Sequence, residues 1–145
     1  MSEVGTLLRD TADRLFADHC DRATLERAEA GIWPEALWRA LEDAGFPKAL
    51  LPEASGGAGI AVADALALVR SAARHSAPVP LGETMLAARV LAAAGLPVPQ
   101  GPLTLAPVNR SDRLVLARQS GGWRLSGRAH RVPWARQAAA LVLVV

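Results

Sequence analysis

The sequence predicts an α+β chain: an N-terminal all-α helical bundle followed by an incomplete antiparallel β-barrel domain. Three observations carry that expectation. Apolar residues recur at helical spacing through the first hundred residues. The segment LPVPQGP, residues 96–102, then halts any helix with three prolines and a glycine. Beyond it, short apolar runs alternate at a period of two between turn residues. The division therefore falls between residues 1–97, a helical unit, and 98–145, the start of a β unit. Charge changes at nearly the same place, from net −4 over residues 1–100 to net +6 over residues 101–145.

The elements follow in order. Ser2 is placed to cap a first helix in which Val4, Leu7, Leu8, Thr11, Ala12, Leu15 and Phe16 form one stripe. A short second helix over residues 24–30 is stopped by Gly31. Pro34 fits the first turn of a third helix and Gly45 its end, with Leu37, Trp38 and Leu41 as the apolar face. Residues 46–60, rich in Pro and Gly, read as a long ordered loop with a short extended piece. Two Ala-rich helices follow, over residues 62–75 and 83–94, with Gly95 ending the second. Strands are expected at 103–105, 114–116, 123–125 and 138–145, with Ser120-Gly121-Gly122 turning the central hairpin. The chain stops inside the last apolar run, so it is expected to be a fragment of a longer protein.

Composition excludes several classes. The 145 residues are 51% apolar with a net charge of +2, so disorder is excluded. Cys20 is alone, which excludes a disulfide framework and points to a reduced, cytoplasmic setting. No secretory leader is legible, and no apolar run approaches the roughly 18 residues of a membrane span.

Few constellations suggest chemistry. Gly57-Ala58-Gly59 before a helix imitates a dinucleotide fingerprint, but Val62 stands where a small residue is required and Pro52 interrupts the strand. No Gly-Lys-Ser/Thr follows, so there is no phosphate loop. His19 and Cys20 are adjacent on a helix and point about 100° apart, which suits neither catalysis nor a metal. His19 and His75 fit helix C-termini, where the dipole favours them. Trp33 and Trp38 suit core packing at a helix entry, and Trp123 a sheet-face anchor. Seven arginines of the β segment suit a solvated strand face or a phosphate-bearing ligand. Nucleic-acid binding is not expected, since only Trp123 and Trp134 are available for stacking there.

The order of these motifs resembles the acyl-CoA dehydrogenase family, bacterial branch. Leu41 to Gly45 resembles its "L-x-x-x-G" helix end, and Leu51-Pro52-Glu53 with Gly56, Gly57 and Gly59 its "P-E-x-x-G-G-x-G" loop. Pro78 to Thr84 resembles its "PVPL…ET" helix entry, and GWRLSGR its "GW-x-hydrophobic-x-G-x-K" hairpin. The resemblance implies FAD and oxidation of an acyl-CoA thioester between its α and β carbons. It also implies an oligomer with further acyl-CoA dehydrogenase subunits. The hairpin then leads into a flavin-contacting strand, here Val132, Pro133 and Trp134. The family's catalytic carboxylate comes from a C-terminal bundle, so no catalytic residue and no metal ligand is assigned. This chain alone is expected to be inactive. Three departures stand out. The family's "T-E-P-x-x-G-S-D" segment is reduced to Pro107, Ser111 and Asp112, and its flavin-strand hydroxyl is missing. The hairpin lysine is replaced by Arg128 or His130. Such losses resemble members that act as a non-catalytic structural subunit, with a decayed flavin site, beside an active homologue.

Overall fold

A computed structural model describes residues 2–106 and 109–144. Five helices come first: α1 Glu3–His19, α2 Arg22–Glu29, α3 Glu35–Asp43, α4 Val62–Arg74 and α5 Leu81–Ala93. Four strands follow: β1 Leu103–Ala106, β2 Arg113–Gln119, β3 Gly122–Arg128 and β4 Ala140–Leu143.

The helices begin where a side chain can take up free backbone N–H groups. The Ser2 hydroxyl oxygen accepts from the Gly5 N–H at 3.0 Å, opening α1 as expected. The same hydroxyl donates to Asp64 Oδ2 at 2.5 Å, fastening that end to the first turn of α4. α2 starts earlier than the apolar pattern suggests, because Asp21 accepts from the Thr24 N–H at 2.8 Å. Pro34 precedes α3 instead of lying in its first turn; its ψ of 72° is not helical. α5 likewise starts at Leu81, ahead of Glu83.

The first core joins α1, α3, α4 and α5 through Phe16, Leu37, Trp38, Leu41, Leu68, Leu81 and Met85, all buried. α1 and α4 run in the same direction. Ser2 meets Asp64 at one end, and Phe16 stacks on His75 at the other, with ring centroids 6.0 Å apart. The loop between α3 and α4 holds two short 3₁₀ turns, Phe46–Lys48 and Glu53–Ser55. Gly57 there has a packing reason: a Cβ on it would overlap Leu51 and the Lys48 carbonyl.

The β segment corrects the expectation in part. β2 and β3 pair antiparallel, with Leu116 opposite Leu125 and Gln119 opposite Gly122. β1 and β4, however, pair parallel, Leu103 opposite Ala140 through Ala106 opposite Leu143. The intervening hairpin is a long excursion that returns the chain on the same side, and parallel neighbours need such a connection. The result is two small open sheets among the described residues. β1 and β4 form a second core with α5 and the loop, through Leu51, Ala87, Ala88, Leu103 and Val142. β4 is shorter than the expected strand, and its expected last residue, Val145, lies outside the described residues. Trp123 is not a buried sheet anchor. It is 66% exposed and carries Arg118 over its ring, 5.9 Å from the centroid. No second layer covers the hairpin among the described residues, so its faces meet solvent.

Candidate functional site

The expected flavin-contacting residues lie in a turn, not a strand. Val132 is half-buried, Pro133 exposed and Trp134 half-buried, at the start of the turn over 133–137 that leads to β4. Three hydrogen bonds, to two carbonyls, fix this turn. The Thr104 hydroxyl donates to the Pro133 carbonyl at 2.8 Å. The Trp134 carbonyl accepts from the N–H groups of Gln137 and Ala138 at 3.0 and 2.9 Å. Trp134 itself has φ 57°, in the left-handed region that non-glycine residues rarely occupy. Its side chain turns toward the helical unit, where it lines one cavity with Trp33, Pro34 and Pro78.

This stretch offers a flavin no side-chain hydroxyl. An isoalloxazine edge presents mainly acceptors and needs protein donors. Pro133 has no N–H, no hydroxyl side chain lies in residues 131–135, and the two carbonyls here are engaged within the chain.

A second cluster ties the start of β2 to the end of β3. The Asp112 carboxylate is fully buried and accepts from the His130 N–H at 3.1 Å and from His130 Nδ1 at 2.9 Å. It also accepts from the Asn109 N–H at 3.4 Å, while the Asn109 amide donates to the His130 carbonyl at 2.5 Å. The His130 hydrogen bond, first among these contacts, holds the Asp112 carboxyl below the usual carboxylate range. His130, one of two candidates for the hairpin lysine position, thus serves this local clasp; Arg128 pairs with Arg113 across the hairpin. Ser111 is exposed, and Pro107 lies outside the described residues.

The remaining titratable groups are structural. Asp13 accepts from the Ser71 hydroxyl, with Arg74 at 3.5 Å and His75 Nε2 at 3.7 Å. His75 caps the C-terminal end of α4, as expected of it. His19 lies in the last turn of α1, and Cys20 caps it, its thiol pushed up to about 11 by burial and then by Asp21. No group of three His, Cys, Asp or Glu side chains that could hold a metal occurs among the described residues. The Gly57 loop is preceded by a 3₁₀ turn instead of a strand, so it is not a dinucleotide fold. The juxtaposition of Trp134 with Trp33 has no local signal, since about a hundred residues separate them. The Asp112 clasp was visible only as the Ser-Asp remnant.

The helical layer thus carries a Gly56-Gly57 loop between α3 and α4, and α5 packs on the first strand. Residues 2–97 match the family model "Acyl-CoA dehydrogenase, N-terminal domain". The chain belongs to the acyl-CoA dehydrogenase family. It is 38% identical over 117 residues to acyl-CoA dehydrogenase IpdE2 of Mycobacterium tuberculosis, covering 79% of this chain and 37% of that protein. It is also 38% identical over 100 residues to acyl-CoA dehydrogenase IpdE2 of Mycolicibacterium smegmatis, covering 66% and 32%. Among solved structures it is similar to a variant of the Tcur3481-Tcur3483 steroid ACAD, with TM-score 0.78 and 34% identity. That similarity covers 96% of this chain and 44% of the other. The chain therefore spans about a third of the curated relatives and under half of the solved one.

Proposed function

We propose that this chain supplies the N-terminal helical unit, residues 1–97, and the opening β elements, residues 98–145, of an acyl-CoA dehydrogenase. The assembly forms an α,β double bond in an acyl-CoA thioester and uses FAD. Within it, this chain is a non-catalytic component beside an acyl-CoA dehydrogenase chain that holds the flavin. The observation that carries this reading is the state of residues 132–134: no hydroxyl, no N–H on Pro133, and carbonyls already engaged. Val132, Pro133 and Trp134 then offer an apolar strip and two backbone N–H groups, but no hydroxyl, to a flavin held mainly from elsewhere. Likeness to a steroid ACAD over 96% of the chain supports a steroid-derived acyl group. We place the assembly in the cytoplasm; no helix among the described residues is long and apolar enough to cross a membrane.

The test is flavin content and turnover. The chain purified alone should carry no yellow chromophore and should not reduce an electron acceptor with a steroidal acyl-CoA. Co-expression with a second acyl-CoA dehydrogenase chain should yield a flavin-containing complex that does. Stoichiometric FAD on the isolated chain would overturn the reading.

A further inference from the structure

The chain bends twice between the hairpin and β4. Among the described residues three non-glycine residues have positive φ, and two of them bracket one short stretch: Arg131 at 52° and Trp134 at 57°. The sequence explains why the bends fall there. Pro133 fixes its own φ and disfavours helical conformations at Val132. The dipeptide between the bends is therefore stiff, and a reversal of the chain has to be made at Arg131 and Trp134. Both residues carry a Cβ, which makes the left-handed region costly.

Such conformations persist where the surroundings hold them. Here each end has its own anchor. Upstream, His130 is held at three points. Its N–H and ring Nδ1 bond the Asp112 carboxylate at 3.1 and 2.9 Å, and its carbonyl accepts from the Asn109 amide at 2.5 Å. Downstream, the Pro133 carbonyl accepts from the Thr104 hydroxyl at 2.8 Å, and the Trp134 carbonyl accepts from the N–H groups of Gln137 and Ala138. Arg131 itself is exposed, so its neighbours and not its own packing keep the bend.

The two anchors are unequal. Thr104 is fully buried. The Asp112 side chain is equally buried, but that of His130 is 55% exposed. Local opening begins where bonded groups meet water, so the His130 end is the one that yields first.

We propose that residues 131–134 form a strap on two hinges, latched by the Asp112–His130 pair. Latched, the strap turns Trp134 toward Trp33, Pro34 and Pro78 of the helical unit. With the latch open, Arg131 and Trp134 return to negative φ, the strap straightens, and Trp134 swings away from the helices. A few loop residues that absorb a large change in φ and ψ are what a hinge requires. What the straightened strip meets rests on the dehydrogenase reading; the swing itself is a property of this chain.

Amide hydrogen exchange on the full chain, followed by NMR, tests the strap. The reporters are the Gln137 and Ala138 N–H groups that bond the Trp134 carbonyl. Asp112→Asn keeps the volume and removes the carboxylate. It should speed exchange at both reporters by about tenfold or more, although they lie far along the chain, and leave buried Leu68 of α4 unchanged. Arg131→Gly should do the opposite. Glycine accepts this φ without a Cβ penalty, so the latched form gains and exchange slows about threefold. Loss of an ordinary structural side chain would not slow it. The proposal is overturned if Asp112→Asn leaves both reporters unchanged, or if Arg131→Gly exchanges as fast as the parent chain or faster. Should Asp112→Asn also loosen Leu68, Arg131→Gly alone decides. No flavin, thioester or second chain takes part. Failure here therefore leaves the dehydrogenase reading standing, and a co-expressed complex without flavin would leave the strap standing.

Discussion

The Thr104 hydroxyl and the Pro133 carbonyl, 29 residues apart, meet at 2.8 Å beneath the turn that carries Trp134. Thr104 is fully buried, so water cannot replace it. Thr104→Val should leave the carbonyl unpaired and cost about 1–3 kcal/mol. Thr104→Ser should recover much of that loss. Urea denaturation of the three proteins checks the order.

The Ser2–Asp64 contact should make stability depend on pH. The Ser2 hydroxyl bond holds the Asp64 carboxyl below its ordinary value of 3.8. A depressed carboxylate contributes stability that is fully present above its unfolded value and is lost as pH falls through the folded one. Thermal scans should therefore show this part of the stability intact at neutral pH and declining below about pH 4. Asp64→Asn should flatten that acid limb and lower stability at neutral pH.

The thiol of Cys20, raised to about 11, should be nearly inert. At pH 8 its thiolate fraction is roughly a hundredfold below that of a free cysteine. A thiol-reactive disulfide reagent should label the native chain slowly and the guanidine-unfolded chain at once. Equal rates would show that the burial at the end of α1 is wrong.

Gly57→Ala should destabilise the helical unit. The added methyl has no space against Leu51 and the Lys48 carbonyl, and overpacking of this kind costs about 1–3 kcal/mol. Gly56, which meets nothing within 4 Å, has open space but a left-handed φ of 78°. Its alanine variant should lose less, by roughly 1 kcal/mol of backbone strain. Comparing the two melting temperatures separates crowding from strain.

Much of the helical unit was legible because its signals are local. Ser2, Gly45 and Gly95 mark ends, and Phe16, Leu41 and Leu68 keep the helical period. The start of α2 departs from the apolar period because the Asp21 cap sets it, and that of α3 because Pro34 stands one residue before the helix. The parallel partnering of β1 with β4 was not legible. Strand period gives which residues alternate but not which strand lies alongside, and here α5 decides by packing on Leu103 and Val142. The Trp33–Trp134 cleft was hidden for the same reason: neither residue has a local partner that announces the other.

The parallel pair β1–β4 also bears on how the chain assembles. Its two strands are more than thirty residues apart, and they pair only after the hairpin between them has been gathered in. The entropy of closing so long a loop must be met before any of its bonds form. Helices, by contrast, close over neighbouring residues and do so early. Zipping of Leu103 to Ala140 is thus a late event, and the hairpin hanging from it is a tethered appendage. Shortening that appendage should speed folding and leave the helical core undisturbed.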